Sequence, residues 1–313
     1  RRYDCEVRQH RQFDRPASPF HRVLGQVIRN RSVKICEERQ RYPSRRYRQS
    51  EELSPIRIRT MAAGQYPIRT RIAGDIVAEI VLPERQTGKV AILASGLPST
   101  PSKGELLRFF ADQGYVALLP RYRGTWESDG IFLDRSPAQD IRDIVDELVA
   151  RRSIVDSFTG ERVKIRVSAV HLFGFSFGGP AVLLNSELPI VKKIVAVSPV
   201  IDWKKEGEDE PFDQYVRFIA AGFGGAYRTR RPTDWRKLVA TDFYSPILRM
   251  KNIVGRKICI IHAEDDRVVP YEPLIDFAQA TGAQYYLKPK GGHGLKIRHR
   301  FLWKKISAFL ESR

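Results

Sequence analysis

Short apolar runs alternate with helix-spaced segments along most of this 313-residue chain. The runs at 89–96, 115–120 and 169–175 are almost continuously apolar, as in strands that are buried on both faces. Between them, 102–114 and 137–152 place leucine, isoleucine, valine and phenylalanine on one helical face. Because strands alternate with helices, the sequence predicts an α/β fold with a mostly parallel central sheet and helices on both faces.

Three further strands continue this alternation toward the C-terminus, at 192–200, 256–263 and 283–289. A last helix is predicted at 297–312, where large apolar residues recur at helical spacing. Active sites in such sheets lie beyond the carboxyl ends of the strands. The polar residues at these ends are therefore the first candidates for chemistry.

The first sixty residues carry half of the excess positive charge. Residues 1–60 contain 16 Lys+Arg and 7 Asp+Glu, a net of +9 out of +18 for the chain. They lack sustained strand or helix periodicity, and the first methionine is Met61. Three interpretations of this segment stay open. It is sequence upstream of a true start at Met61, a solvated basic arm that contacts nucleic acid or an anionic surface, or an organelle transit segment. We expect a disordered or non-native extension at 1–60 and a domain at 61–313.

The cysteines and the apolar runs bear on the compartment. Cys5, Cys36 and Cys259 are far apart in sequence and form no C-x-x-C pair, which fits a reducing compartment. No charged-then-apolar secretory signal opens the chain, and no apolar run approaches the roughly 18 residues of a membrane span. We therefore expect a cytoplasmic protein without a membrane span.

One strand end carries a serine between two glycines. Residues 171–179 read HLFGFSFGG, which contains G-x-S-x-G between a predicted strand and a predicted helix. In a sharp strand-to-helix turn, Gly174 and Gly178 avoid collisions with the neighbouring strand and helix. The Ser176 hydroxyl would then lie at the sheet edge, beside the unpaired N–H groups of a helix. The pattern indicates a nucleophile, although a serine that only caps the helix also fits.

A serine nucleophile needs a base, and the base needs an acid to orient it. Among six histidines, His293 lies in the glycine-rich loop KGGHGLK after the last strand, from which its ring can reach the sheet edge. Asp202 follows another strand and is one candidate for the acid. The strand end IIHAEDDRVVP offers three more, Glu264, Asp265 and Asp266. These acids could also form a metal site with His262 or a solvated turn, but nothing elsewhere supplies matching metal ligands.

Over residues 66–313 the chain resembles the α/β-hydrolase family. The resemblance rests on the motifs GFSFGG, EDDRVVP and GGHG, which carry the residues Ser, Asp and His in the order of that family. The similarity is to its serine hydrolases with dienelactone-hydrolase-like or prolyl-oligopeptidase-like catalytic domains. The resemblance implies the α/β-hydrolase fold with a catalytic triad of Ser176, Asp266 and His293. Asp266 is chosen because 266–270 matches the D-x-x-V-P pattern of the family.

The resemblance also implies an oxyanion hole. The backbone N–H of Phe177, the residue after the nucleophile, would be one donor, and the N–H of Leu97 would be the other. Leu97 lies in Ser95-Gly96-Leu97-Pro98, where relatives often carry His-Gly-x-Pro. The serine that replaces this histidine leaves the backbone donor in place but puts the support of the loop in doubt.

The region 204–250 is too long for a simple crossover and predicts short helices. The resemblance implies that this insertion forms a small helical cap over the pocket. Its aromatic residues are candidates for an apolar substrate pocket or for the core of the cap: Phe212, Tyr215, Phe218, Phe223, Trp235 and Phe243. Tyr122 and Trp126, in the loop 120–130, are also candidates to line the pocket. We expect Tyr122, Trp126, Phe218 and Phe223 to contact the substrate.

These features predict a serine hydrolase that cleaves a carboxylic ester of a small molecule through an acyl-serine, with no metal or organic cofactor. The alternatives are an aminopeptidase-like or acyl-peptidase-like serine peptidase and a hydrolase-fold binding protein without catalysis. We do not expect nucleic acid as a partner, and the sequence leaves the oligomeric state open.

Overall fold

The computed structural model describes residues 67–312. The basic segment 1–60 and the predicted domain boundary at Met61 lie outside the described residues. The strands within this range are β1 Ile68–Ile72, β2 Ile76–Val81, β3 Lys89–Ala94, β4 Val116–Pro120, β5 Ser153–Val155, β6 Arg162–Lys164, β7 Ala169–Phe175, β8 Val191–Val197, β9 Ile258–Ala263 and β10 Gln284–Lys288.

Eight of these strands form one sheet in the order β1-β2-β4-β3-β7-β8-β9-β10. The pairs from β4 through β10 are all parallel, whereas β1 pairs with β2 and β2 pairs with β4 in the antiparallel sense. The mostly parallel sheet predicted from the alternation is therefore confirmed. The nucleophile candidate follows β7, which lies inside the sheet with parallel neighbours on both sides.

The helices follow the strands in the predicted alternation. Their bounds are α1 Gly104–Asp112, α2 Pro137–Arg151, α3 Gly178–Leu183, α4 Phe212–Phe223, α5 Lys237–Ala240, α6 Glu272–Thr281 and α7 Arg300–Glu311. The insertion at 204–250 contains α4, α5 and short 3₁₀ segments, the last of which runs on to Asn252. No helix within residues 67–312 combines the length and apolarity that crossing a membrane requires.

Apolar residues of the sheet pack against helices on both faces. Phe173 of β7 lies in a core with Leu107 and Phe110 of α1 and with buried residues of α7. Leu172, which precedes Phe173 and faces the other way, lies in a core with buried residues of α2, α3 and α6. Successive side chains of a strand point to opposite faces, so a strand covered on both faces is apolar at every position.

Two local features differ from the sequence prediction. The hairpin of β5 and β6 was not predicted, because its three-residue strands are too short to show a period. The segment GGPAVLLNSE, 178–187, predicts one helix, but the helix ends at Leu183. Asn185 accounts for this early end, since its side-chain amide donates to the Ala181 carbonyl at 2.8 Å while its backbone N–H bonds Val182. The Asn185 side chain thus occupies the Ala181 carbonyl, which the backbone N–H of Asn185 would use if the helix continued.

Candidate active site

The turn after β7 holds Ser176 in a strained conformation. Its φ is 49°, in the left-handed region that non-glycine residues seldom occupy. The backbone N–H of Ser176 bonds the carbonyl of Val197, and the Ser176 carbonyl accepts from the N–H of Gly179. These bonds attach the turn to β8 and to the start of α3. A strained serine at a strand-to-helix turn is the arrangement expected of a nucleophile elbow.

The glycines beside Ser176 are required by close packing. A Cβ atom on Gly178 would lie 2.1 Å from the carbonyl oxygen of Ala94 in β3. A Cβ atom on Gly174 would lie 2.5 Å from both the Gly178 carbonyl oxygen and the Val182 side chain. Real Cβ atoms essentially never approach so closely, so both positions need glycine, for the steric reason that the sequence suggested.

The loop after β3 lies against the serine. A Cβ atom built on Gly96 would be 3.1 Å from the Cβ atom of Ser176, so the two segments are in contact. Leu97 and Phe177 are buried and line the same pocket as Ser176. No hydrogen bond described within residues 67–312 uses the backbone N–H of Leu97 or Phe177. Both predicted oxyanion donors therefore lie beside Ser176 with unused N–H groups.

Asp266 and His293 are in direct contact. Nδ1 of His293 donates to Oδ2 of Asp266 at 2.9 Å, although the residues follow different strands. The Asp266 side chain is fully buried, whereas 27% of the His293 side chain is exposed. Because Nδ1 carries the proton of the neutral ring, Nε2 is left as an acceptor. No described hydrogen bond joins His293 to the Ser176 hydroxyl, and such bonds often tighten only when substrate is bound.

A second histidine contacts the same carboxylate. Nε2 of His262 lies 3.1 Å from Oδ2 of Asp266 and 3.0 Å from the carbonyl oxygen of Val269. Since both neighbours are acceptors, Nε2 carries the proton. Nδ1 of His262 is buried without a partner, which fits a neutral ring. His262 is therefore a fully buried second partner of the oxygen that the partly exposed His293 contacts.

Asp266 is held as a carboxylate. Burial favours its protonated form, but hydrogen bonds from His262 and His293 outweigh burial and hold the pKa of Asp266 well below its usual range. The other oxygen, Oδ1, accepts from the backbone N–H groups of Val268 and Val269 at 3.0 Å each. Four donors thus fix both carboxylate oxygens, and the group can orient a histidine without taking its proton.

Asp265 has a different task from Asp266. Its Oδ1 accepts from the backbone N–H groups of Gly291 at 2.8 Å and Gly292 at 2.7 Å. Asp265 therefore holds the loop that carries His293, while Asp266 holds the ring. Within the described range, no group of three or more histidines, cysteines or acids is arranged to bind a metal ion.

We expect the His262→Leu variant to be about 2 kcal/mol less stable at neutral pH, because a buried carboxylate loses a charge-assisted donor. Because the pKa of Asp266 is lower in the folded than in the unfolded state, its carboxylate stabilises the fold at every pH above the unfolded-state pKa. This contribution disappears as pH falls through the folded-state pKa. The difference from wild type should therefore shrink in strong acid. Urea unfolding at neutral pH and at about pH 2 measures both effects.

His262→Gln is the matched variant, because its amide nitrogen can occupy the place of Nε2 and donate to Asp266. It should recover part of the stability that His262→Leu loses. Equal losses in the two variants, with no dependence on pH, would mean that His262 acts only by packing.

Ser176 opens into a pocket of about 510 Å³, counted with its open mouth. Its apolar wall comes from strand ends and from the cap: Leu97, Phe177, Val200, Trp203, Phe212, Tyr215, Val268 and Val269. Lys205, Glu206 and Glu210 add charged groups. Phe212 and Tyr215 were among the cap aromatics that the sequence indicated, whereas Val200, Trp203, Val268 and Val269 were not singled out.

The four residues predicted to contact substrate lie elsewhere. Tyr122 and Trp126 line a separate cavity of about 300 Å³ behind the Leu97 loop. Phe218 and Phe223 pack on each other in the cap, with ring centroids 6.1 Å apart. Neither pair lines the pocket of Ser176.

Tyrosine hydroxyls support the loop of Ser95, Gly96, Leu97 and Pro98. Tyr122 donates to the Ser95 carbonyl at 3.0 Å, and Tyr215 donates to the Leu97 carbonyl at 3.3 Å. Tyr227 accepts from the Ser99 N–H at 2.9 Å. Two of these three tyrosines belong to the cap, so the cap holds the loop that carries Leu97. No local sequence signal announces this support, since the partners are up to 128 residues apart.

The other histidines within the described range have structural environments. His171, in β7, is buried and bonds the Tyr115 hydroxyl at 2.8 Å, as expected of a core residue. Burial and the charges of Lys89 and Lys193 lower the pKa of His171 to about 4. His299 precedes α7 on the exposed surface. Neither ring lines the pocket of Ser176.

Comparison with known proteins identifies the class. A model of the alpha/beta hydrolase family matches residues 91–297, about two thirds of the chain. The chain therefore belongs to the alpha/beta hydrolase family. A search of curated proteins finds no match.

Solved structures share the fold at low sequence identity. An esterase of Pyrococcus furiosus is 17% identical with a TM-score of 0.56, and covers 79% of this chain and 91% of its own. A putative lipase of Acinetobacter baumannii is 16% identical with a TM-score of 0.56, and covers 80% and 92%.

The acylaminoacyl peptidase of Pyrococcus horikoshii is 19% identical with a TM-score of 0.51, and covers 79% of this chain. This chain spans only 40% of the peptidase. At these identities the likeness extends to the fold, and the reaction has to be argued from the site.

Proposed function

We propose that this protein is a serine hydrolase that cleaves a carboxylic ester of a small molecule through an acyl-serine intermediate. The observation that carries the proposal is the hydrogen bond of 2.9 Å from His293 to the buried carboxylate of Asp266. It fixes the tautomer in which Nε2 can accept a proton. Ser176, in its strained turn, supplies the matching hydroxyl.

In the first step, Nε2 of His293 accepts the proton of the Ser176 hydroxyl as its oxygen attacks the ester carbonyl. The N–H groups of Leu97 and Phe177 stabilise the oxyanion that develops on the carbonyl oxygen. His293 then gives the proton to the leaving alcohol, the carbon–oxygen bond breaks, and the acyl group stays on Ser176.

In the second step, His293 accepts a proton from water, whose oxygen attacks the acyl-serine. The second tetrahedral intermediate collapses when His293 returns the proton to Ser176, which releases the carboxylic acid. Asp266 stays ionised and stabilises the imidazolium in both steps. The low pKa of Asp266 supports this role, because the carboxylate does not compete for the proton.

The pocket supports a small acyl group. Trp203, Phe212 and Val200 give the wall beside Ser176 an apolar character, which suits an alkyl or aryl chain. Glu206 and Glu210 also reach this pocket, and carboxylates there favour a second candidate, a peptidase that binds the amino group of an N-terminal residue. A panel of matched ester, thioester and aminoacyl-amide substrates distinguishes the two candidates.

The test is labelling of the full-length chain with a fluorophosphonate, followed by peptide mass analysis. We expect one adduct on Ser176, because the probe forms a covalent bond with an activated serine. His293→Ala should slow labelling by at least a thousandfold, since the hydroxyl loses its base.

A folded protein, verified by circular dichroism, that takes up no label would contradict the proposal. Salt-dependent binding of nucleic acid by that unlabelled protein would favour a binding function instead.

A further inference from the structure

A second cavity, of about 1270 Å³ with its open mouth, is lined by chain segments adjacent in sequence to the proposed nucleophile and base. It is lined by 102–106 at the start of α1, by Phe175, and by 295–299 after the histidine loop. It shares no lining residue with the pocket of Ser176. Phe175 immediately precedes Ser176, and Leu295 follows His293 by two residues, so the chain segments that carry both proposed reacting residues also contribute to the cavity wall.

The floor of the cavity is apolar and its rim is basic. Leu106, Phe175, Leu295 and Ile297 form the apolar part, and the charged residues are Lys103, Glu105, Lys296 and Arg298, with His299 beside them. Arg298 pairs with the single acid, since its Nη2 lies 2.9 Å from Oε2 of Glu105. Two cations, Lys103 and Lys296, form no ion pair with any residue in the described part of the chain.

Lys103 is the more telling of these two cations. It is half-buried, whereas Lys296 is exposed, and burial lowers the pKa of the Lys103 ammonium group. A half-buried ammonium without a counter-ion is unfavourable, and an anion in the cavity would remove this cost. The cavity thus combines an apolar floor with a cation that has no counter-ion among residues 67–312.

The position of the cavity indicates which part of a substrate it would hold. The leaving alcohol takes its proton from His293, so it must lie on the side of the histidine loop. The continuation of that loop, 295–299, forms one wall of the cavity. The acyl group has the apolar pocket beside Trp203 and Phe212.

We propose that this cavity binds the leaving alcohol of the ester and that Lys103 selects alcohols that carry an anionic group. The inference rests on the proposed hydrolase function and names its substrate class. An aromatic or alkyl alcohol with a carboxylate places its apolar part on Phe175 and Leu295 and its charge at Lys103.

The experiment compares para-nitrophenyl acetate with its ring-carboxylated analogue on the full chain. Each kcat/KM is divided by the rate of spontaneous hydrolysis. We expect the carboxylated ester to be preferred, and Lys103→Gln to reduce the preference about tenfold, as for loss of one charge-assisted contact. Lys304→Gln is the matched control, because Lys304 is an exposed lysine of α7 outside the cavity. It should leave the preference unchanged.

Calorimetric titration of the carboxylated nitrophenol, the alcohol product itself, needs no turnover. Binding that Lys103→Gln weakens and Lys304→Gln retains supports the cavity even if neither ester is cleaved, in which case only the hydrolase proposal fails. The cavity proposal is overturned if both esters are hydrolysed without preference. It is also overturned if the two lysine substitutions have equal effects on preference and binding. Either result leaves the hydrolase proposal intact. Absence of both hydrolysis and binding overturns both.

Discussion

Replacing Ser176 with alanine is expected to lower kcat for ester hydrolysis by about a millionfold, the loss typical of removing the nucleophile of a triad. The alanine variant keeps the Asp266–His293 pair and the N–H groups of Leu97 and Phe177, but it has no oxygen that can form the acyl intermediate. Only the rate enhancement from binding and from oxyanion stabilisation would be left. Steady-state hydrolysis of a chromogenic ester measures the effect, with the protein concentration taken from absorbance and folding verified by circular dichroism.

Ser198→Ala is a suitable control for this experiment. Ser198 also follows a strand of the sheet, is buried, and has a φ of 45°, close to that of Ser176. Its hydroxyl has no hydrogen-bond partner within the described residues, so its removal breaks no bond. Ser198→Ala should stay within a few-fold of wild type. A Ser176→Ala enzyme as active as the Ser198→Ala enzyme would mean that another group attacks the ester.

The fold was predictable because a parallel sheet covered on both faces leaves a strong sequence signal. Strands such as Ala169–Phe175 and Val116–Pro120 are apolar runs in the sequence because each face of the strand meets a layer of helices. The end of α3 was not predictable in the same way. It depends on the Asn185 amide, which binds both Ala181 and, 47 residues away, Ala138.

The site was predictable where the chemistry is local in sequence. The turn around Ser176 needs glycines two residues before and after it, so the requirement is visible in five letters. The partners that stabilise the site come from distant segments. The bonds of Tyr215 to Leu97 and of Asp265 to Gly291 join residues 118 and 26 positions apart, and tyrosine or aspartate at such positions has many other uses. His262 precedes Asp266 by only four residues, but its contact depends on how the loop after β9 folds back.

The substrate-contact prediction shows the limit of reading aromatic residues alone. Phe212, Tyr215, Phe218 and Phe223 all lie on α4, yet only Phe212 and Tyr215 line the pocket of Ser176. Phe212 and Tyr215 lie in the first turn of α4, whereas Phe218 and Phe223 lie in later turns. Which part of α4 meets the serine depends on how the cap docks, and the sequence does not specify that docking.

Replacing Asp266 with asparagine is expected to lower kcat about ten-thousandfold while the protein stays folded. The reason lies in the four donors around the carboxylate. Oδ1 accepts from Val268 and Val269, and Oδ2 accepts from His262 and His293. If the asparagine oxygen keeps the two backbone bonds, its NH₂ group faces His293. The ring must then present an unprotonated Nδ1 and carry its proton on Nε2, where it can no longer accept the proton of Ser176.

Asp202→Asn tests whether the other candidate acid contributes. The Asp202 carboxylate accepts from the backbone N–H of Lys204 at 2.9 Å, and an asparagine oxygen can do the same. Because this hydrogen bond is preserved, kcat of the Asp202→Asn variant should fall less than threefold. Measured together, the two asparagine variants separate a general charge effect from the tautomer argument, because each removes one negative charge at the same edge of the sheet. A loss of equal size in both would refute the assignment of Asp266, whereas a loss confined to Asp266→Asn supports the hydrogen bond to His293 as the feature that makes Ser176 reactive.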